Sequence, residues 1–234
     1  MIHEKNRQVY GSPRIHKALL SQKEKVSVNT VASLMKKAGI QAKTHRKFVV
    51  TTESRHGFKV AENKLQRNFK PAHLNQAWVS DVTFISTRQG FVFLAMVMEL
   101  YSRRIVGWAM DSRNTAELVC RALNMAIEQC EPEAGLIVHS DRGIQYVANE
   151  YQELLNRHGF VCSMSRKGDC WDNAPAESFF HSLKTEQVMF EDYKTREEAR
   201  TDIFEYIEVF YNRSRLHSSI GYTNPVAYER IMAA

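Results

Sequence analysis

The sequence has only four cysteines, Cys120, Cys130, Cys162 and Cys170, and none of them forms a Cys-x-x-Cys pair. That spacing excludes a zinc ribbon and a disulfide framework and leaves reduced, partly buried thiols as the expectation. Long hydrophobic runs are missing as well. The longest, Phe91 to Met98, has eight residues, against the roughly 20 needed to cross a bilayer, so no membrane partner is expected. The opening MIHEKNRQ has no apolar stretch leading to a small-residue cleavage site, which points to the cytoplasm. There is no Gly-rich dinucleotide fingerprint, no phosphate-binding P-loop and no Gly-x-Ser-x-Gly elbow, so three common enzyme chemistries lack support. Internal repeats and low-complexity tracts are also absent.

Acidic residues are scarce in one region. Residues 1–70 hold 4 Asp and Glu against 16 Lys and Arg, whereas the remainder holds 22 against 16. A basic segment on a slightly acidic body reads as a footprint for a polyanion, because each Lys or Arg meeting a phosphate releases condensed counterions. Nucleic acid is the expected partner. With 44% hydrophobic and 25% charged residues the chain lies in the globular range, which excludes a disordered chain, and 234 residues suit one medium catalytic domain with a small appendage.

The first 50 residues read as helices. Ser12, Pro13 and the apolar Ile15, Ala18 and Leu19 predict a short helix over Arg14 to Leu20. Asn29 as cap, Val31, Leu34 and Met35 as inner stripe, and Gly39 as terminator predict a second, with Ser33, Lys36 and Lys37 facing outward. The pair resembles a helix-turn-helix, although the connection Ser21 to Val28 also suits a plain helical hairpin. Lys36, Lys37, Arg46 and Lys47 are the DNA-contact candidates here. Residues 51–75, polar and basic, read as a linker.

From residue 76 to 234 the pattern changes. Trp78 to Ile85, Phe91 to Met98, Arg104 to Met110, Gly135 to His139 and Phe160 to Ser165 predict five strands. Helices are expected over Thr115 to Cys130, Asn149 to Arg157, Ala174 to Glu186 and Arg196 to Tyr211. This is an α/β pattern with a helical tail. Three carboxylates stand out: Asp81 inside the first strand, Asp141 directly after the fourth, and Glu177 on a helix. An acid inside an apolar strand is costly without a cation, and functional groups of open α/β sheets gather at strand carboxyl ends. Converging carboxylates make a hard-oxygen site for Mg²⁺ or Mn²⁺. Two such ions, about 3.5–4 Å apart, can serve an in-line displacement at phosphorus. Glu177, His181 and Lys184 share a helical face at i, i+4 and i+7, which makes His181 and Lys184 candidate DNA contacts beside the acids.

Thirty-five residues separate Asp141 from Glu177. The chain resembles the DDE transposases of bacterial insertion sequences, specifically the OrfB-type catalytic product of family three, relatives of retroviral integrases. The resemblance is carried in order by YGSPRI (Tyr10 to Ile15), VASLMKKAGI (Val31 to Ile40), NQAWVSDVTFI (Asn75 to Ile85), LYSRRIVGW (Leu100 to Trp108), HSDRGIQY (His139 to Tyr146), SMSRKGDCWDNAPAESFFHSLKTE (Ser163 to Glu186) and YNRSRLHSSIGYTNPVAYE (Tyr211 to Glu229). It implies a ribonuclease H-like integrase core with a mixed five-stranded sheet and flanking helices. It implies Asp81, Asp141 and Glu177 as metal-binding catalytic triad, with Lys184 as the basic residue that follows. It further implies a Mg²⁺-dependent reaction with two ions, in which water attacks a phosphodiester at an element end and the freed 3′ hydroxyl attacks another. The implied partners are element-end and target DNA, a second copy of the chain, and an upstream OrfA product; the implied place is the bacterial nucleoid. Glu99 departs from the family, which shows Asp before Leu-Tyr-Ser, and no leucine-zipper heptad appears. The alternatives are an inactive DNA-binding relative, which would have lost one of the three acids, and a stand-alone nuclease of the same fold.

Overall fold

A computed structural model describes residues 2–43 and 60–232, which fall into two compact units. Residues 2–43, 182–191 and 205–232 form the first, and residues 60–181 and 192–204 the second. Of the helical tail, read from the sequence as part of the catalytic region, residues 182–191 and 205–232 thus cluster with the N-terminal helices, while residues 192–204 stay with the sheet. Arg46 and Lys47 lie outside the described residues. Among those residues no helix is long and apolar enough to cross a membrane.

The first unit is helical: α1 (Ile2–Lys5), α2 (Ser12–Ser21) and α3 (Val28–Lys37) come first in the chain. Ser12 starts α2 but does not cap it; Gly11 holds that position. The cap of α3 is Ser27, whose hydroxyl accepts from Thr30 N at 3.1 Å, so α3 begins ahead of the expected Asn29. Val31 is buried as expected, but Leu34 is 57% exposed rather than part of an inner stripe, and Lys36 and Lys37 are exposed. The centre of this unit is ionic. Glu186 accepts from Arg215 Nε at 2.7 Å and from the Tyr206 hydroxyl at 2.8 Å, while Arg14 Nη1 stands 3.6 Å away. Tyr10 accepts from Leu216 N at 2.8 Å and donates to the Ser214 carbonyl at 3.1 Å. Burying a carboxylate and a guanidinium is costly, and these bidentate and hydroxyl contacts offset the desolvation.

The second unit is built on a five-stranded sheet of β1 (Ala77–Thr87), β2 (Gly90–Glu99), β3 (Ile105–Asp111), β4 (Ile137–Ser140) and β5 (Val161–Met164), ordered β3-β2-β1-β4-β5. The β1–β2 and β2–β3 pairs are antiparallel; β1–β4 and β4–β5 are parallel. All five strands match expected apolar runs, with ends displaced by one or two residues. In β2, Ala95 and Val97 join the core beneath α4 (Ala116–Cys130), while the intervening Leu94, Met96 and Met98 are buried on the other face. Two covered faces explain why that strand reads as unbroken apolar sequence. The helices α5 (Ile144–Val147) and α6 (Asn149–Arg157) link β4 to β5, and α7 (Ala174–Glu186) follows β5. The segment expected as one helix over Arg196 to Tyr211 is instead α8 (Arg196–Phe204) followed by a π-helical run, Glu205–Tyr211, and α9 (Pro225–Met232) adds a helix not expected.

Helix α4 reaches the sheet at Gly107. A Cβ there would lie 2.1 Å from the Ala122 carbonyl oxygen and 2.8 Å from Ala126 Cβ, so the glycine and two alanines together set the approach. Gly107→Ala should lower the unfolding free energy by about 2–3 kcal/mol through overpacking, read by denaturant unfolding; an unchanged midpoint would mean that α4 can retreat freely.

Candidate active site

Parallel pairing of β1 with β4 sets Ser80 opposite Ser140, and Asp81 and Asp141 are the next residues along the chain from each. Both acids are half-buried. Asp81 Oδ1 accepts from Val82 N at 2.8 Å, and Asp141 Oδ1 accepts from Gly143 N at 2.8 Å, closing the turn expected after β4. Beneath them lies a tyrosine that is not among the candidates drawn from the sequence. The Tyr146 hydroxyl is 3.0 Å from Ser80 Oγ and wholly buried. Burial, and then the charges of Asp81 and Asp141, push that phenol well above its ordinary range, so it stays protonated. Tyr146 thus ties α5 to Ser80, the residue before Asp81.

Glu177 sits in the first turn of α7 and is half-buried. Burial alone shifts its carboxyl, and upward. Among the described residues no group of three or more His, Cys, Asp and Glu side chains stands close enough to hold a metal ion, so Glu177 is not joined to the aspartate pair in one cluster. The donor chemistry nonetheless fits a hard divalent cation. Three half-buried carboxylates offer oxygen donors alone, and the His139 imidazole is engaged by two serines.

His139, one strand position before Ser140, takes no part as a ligand. Ser163 Oγ accepts from Lys64 N (2.9 Å) and Leu65 N (3.1 Å), so its own proton points at His139 Nδ1, 2.8 Å away. Nε2 then carries the ring hydrogen toward Ser165 Oγ at 3.2 Å, and Ser165 donates to the Ser140 carbonyl at 3.3 Å. This relay ends on the residue before Asp141. The loop preceding α7 is held by a second polar centre. Asp172, fully buried, accepts from Asn63 Nδ2 (2.9 Å), Arg67 Nε (2.7 Å) and three donors of Arg166, its backbone N (2.9 Å), Nε (2.9 Å) and Nη2 (2.8 Å). The Arg166 hydrogen bonds lead the forces that hold its carboxyl well below the usual carboxylate range. Asn173, next in the chain, donates through Nδ2 to the Ser80 carbonyl at 3.4 Å.

Of the expected DNA contacts, His181 is exposed and Lys36 and Lys37 are exposed in the last turn of α3. Lys184 is not: it is only 5% exposed, so its ammonium is not presented to a ligand at the surface. The seven-residue spacing from Glu177 fixes direction about the helix axis, but the packing changes along α7. Its residues from Ser182 onward belong to the first unit, where Ser182 and Glu186 are hydrogen-bonded to Arg215.

A family profile described as "Integrase core domain" matches residues 71–170, a second of that description matches residues 177–232, and one described as "HTH-like domain" matches residues 1–48. Over 96% of its length the chain is 43% identical to the transposase InsF for insertion sequence IS3A of Escherichia coli (strain K12), covering 78% of that protein. The chain belongs to the IS3 family of transposases. Among solved structures, the catalytic core domain of BIV integrase (18% identity, TM-score 0.51) covers 68% of the transposase and 96% of that chain. The HTLV-2 integrase catalytic core domain in complex with magnesium (14% identity, TM-score 0.50) covers 68% and 98%. At those identities the likeness is one of fold, and it agrees with the α/β integrase core expected from the motifs. The transposase therefore acts on DNA as a polynucleotidyl transferase.

Tyr146, Asp172 and Asn173 brace the segments that carry the three acids and are not singled out by the sequence, although all three lie inside the motifs that carry the family resemblance. The alternation Arg166, Asp169, Asp172 in one short loop is the available signal for the clamp. Glu99, the departure from the family, is a structural acid. Fully buried, it accepts from Ser102 N and Oγ at 2.7 Å each and from Tyr101 N at 3.1 Å, closing the β2–β3 turn.

Burial lowers the His139 pKa to about 4 from the ordinary 6.5. The folded ring therefore refuses a proton that the unfolded chain accepts, and stability is full above pH ~6.5 and lost as pH falls from there toward ~4. The loss should be roughly 2–4 kcal/mol, and His139→Gln should flatten that window in denaturant titrations at pH 7, 5.5 and 4.5. An unaltered pH profile would place the loss elsewhere.

Proposed function

We propose that Asp81, Asp141 and Glu177 are the catalytic carboxylates with which this transposase cleaves the ends of an insertion element and joins them to target DNA. The observation that carries this reading is the parallel pairing of β1 with β4, whose register ends on Ser80 and Ser140 and so makes Asp81 and Asp141 the next residue of each segment. Mg²⁺ or Mn²⁺, as a pair of ions, fits these oxygen donors, and the magnesium in the HTLV-2 integrase core supports that choice. When bound, the ions supply Lewis-acid stabilisation of charge at the scissile phosphate. The chain does the rest. Ser80 and Tyr146 fix the floor of the site, the Asp141–Gly143 turn aims one carboxylate oxygen, and Asn173 ties the start of α7 to the β1 residue before Asp81. Glu177, in the first turn of α7, would supply the third carboxylate to such ions.

Lys36 and Lys37 on α3, with His181 on α7, take DNA phosphates, the lysines acting as mobile point charges. The working form is an oligomer on paired element ends, with an upstream OrfA product supplying end recognition, in the bacterial cytoplasm at the nucleoid.

Asp81→Asn, Asp141→Asn and Glu177→Gln should each abolish cleavage and joining of element-end duplexes in Mg²⁺ while leaving DNA retention within about threefold of the parent, because the acids serve ions more than packing. Near-parental joining by any one variant removes that residue from the site, and hydrolysis without joining in the parent identifies a nuclease instead. The double variant Lys36→Ala/Lys37→Ala should flatten the log K against log salt plot by roughly 0.9 for each phosphate it no longer neutralises. Parallel plots for variant and parent would make both lysines idle surface charges.

A further inference from the structure

Trp171 is 68% exposed, more than any other large apolar side chain among the described residues. Tryptophan is normally well covered, as Trp78 is here, fully buried in the sheet core. An indole left in water usually sits on a loose loop; this one does not. It occupies the 3₁₀ turn Cys170–Asn173, and the residue after it is Asp172, whose carboxylate accepts hydrogen bonds from Arg166, Arg67 and Asn63. The next residue, Asn173, is bonded to the carbonyl of Ser80, directly before Asp81. The turn is thus anchored on both the loop and the strand that carry the site, six residues before Glu177. Near the indole in sequence, Arg166 keeps 57% of its side chain exposed, and Lys167 is exposed. Arg166 is engaged by Asp172 and Asp169, whereas Lys167 is exposed, and a solvent-facing aromatic plate beside it has the chemistry of a base-stacking platform with a phosphate neighbour. Bases inside a duplex have both faces stacked and the terminal pair offers only its outward face, whereas an unpaired base at an end can swing out and lay a face on the indole.

We infer that Trp171 is a stacking platform for an unpaired nucleobase at the DNA end beside the carboxylates, an inference that rests on the DNA-joining reading above. It assigns the transposase a preference for ends that are open at the terminal base pairs.

The test uses the full chain, without divalent ion so that no cleavage intervenes. The probes are two duplexes of one sequence, one fully paired and one with an unpaired terminus carrying 2-aminopurine. The parent should prefer the open end by about tenfold, the span expected for one base stacked on an aromatic ring, and should quench the 2-aminopurine. Trp171→Phe should keep both effects. Trp171→Ala should lose both, yet bind the paired duplex within about threefold of the parent. Equal preference in parent and Trp171→Ala, or loss of affinity by Trp171→Ala on both duplexes alike, overturns the platform. A parent that binds neither duplex overturns the platform; joining of element-end duplexes in Mg²⁺ by that same parent keeps the DNA-joining reading, and its absence overturns both.

Discussion

Four residue pairs between β1 and β4, from Ala77 with Ile137 to Ser80 with Ser140, hold together two segments some sixty residues apart in the chain. Parallel strands need a crossover, and here everything from β2 through α4 supplies it. Because the register ends on Ser80 and Ser140, one residue more along each segment brings Asp81 and Asp141 out together. A slip of one position would turn every side chain of β4 over and send His139, rather than Ser140, to Ser80's level. The site therefore depends on backbone pairing before it depends on any carboxylate.

Around that pairing the protein places polar groups where a smaller set of apolar ones would fill the space. Ser80, His139, Ser163, Ser165, Glu99 and Asp172 are all buried, and each is engaged by backbone or side-chain partners. Satisfied networks of this kind cost little to bury and restrict the alternatives open to a loop. Three of them touch the elements that carry Asp81, Asp141 and Glu177. Precision at an acidic site comes from such neighbours, since like-charged carboxylates repel and cannot position one another.

The strands of the sheet were legible because β-branched and aromatic residues cluster in runs of the right length, and Asp81 and Asp141 were legible because each interrupts or ends such a run. Exposure was less so. Lys184 shares a helical direction with Glu177 yet is buried, and Leu34 sits in an apolar stripe yet is exposed, because periodicity reports geometry about one axis and not what packs against it. The association of the tail with the N-terminal helices left no local trace at all. Contacts such as Arg14 with the Leu216 carbonyl join positions about two hundred residues apart, and neither residue is unusual in its own neighbourhood.

That association bears on how the chain is made. Residues 2–43 leave the ribosome well ahead of Glu186, Ser214 and Leu216, which hold Tyr10 and Arg14. Domains commonly fold in order during synthesis, but here the sheet unit can form while the helical unit still waits for its closing segments. A product cut short before residue 214 keeps the basic N-terminal segment and loses the partners that seat it, so premature termination yields a chain with charge for DNA and no finished unit to present it.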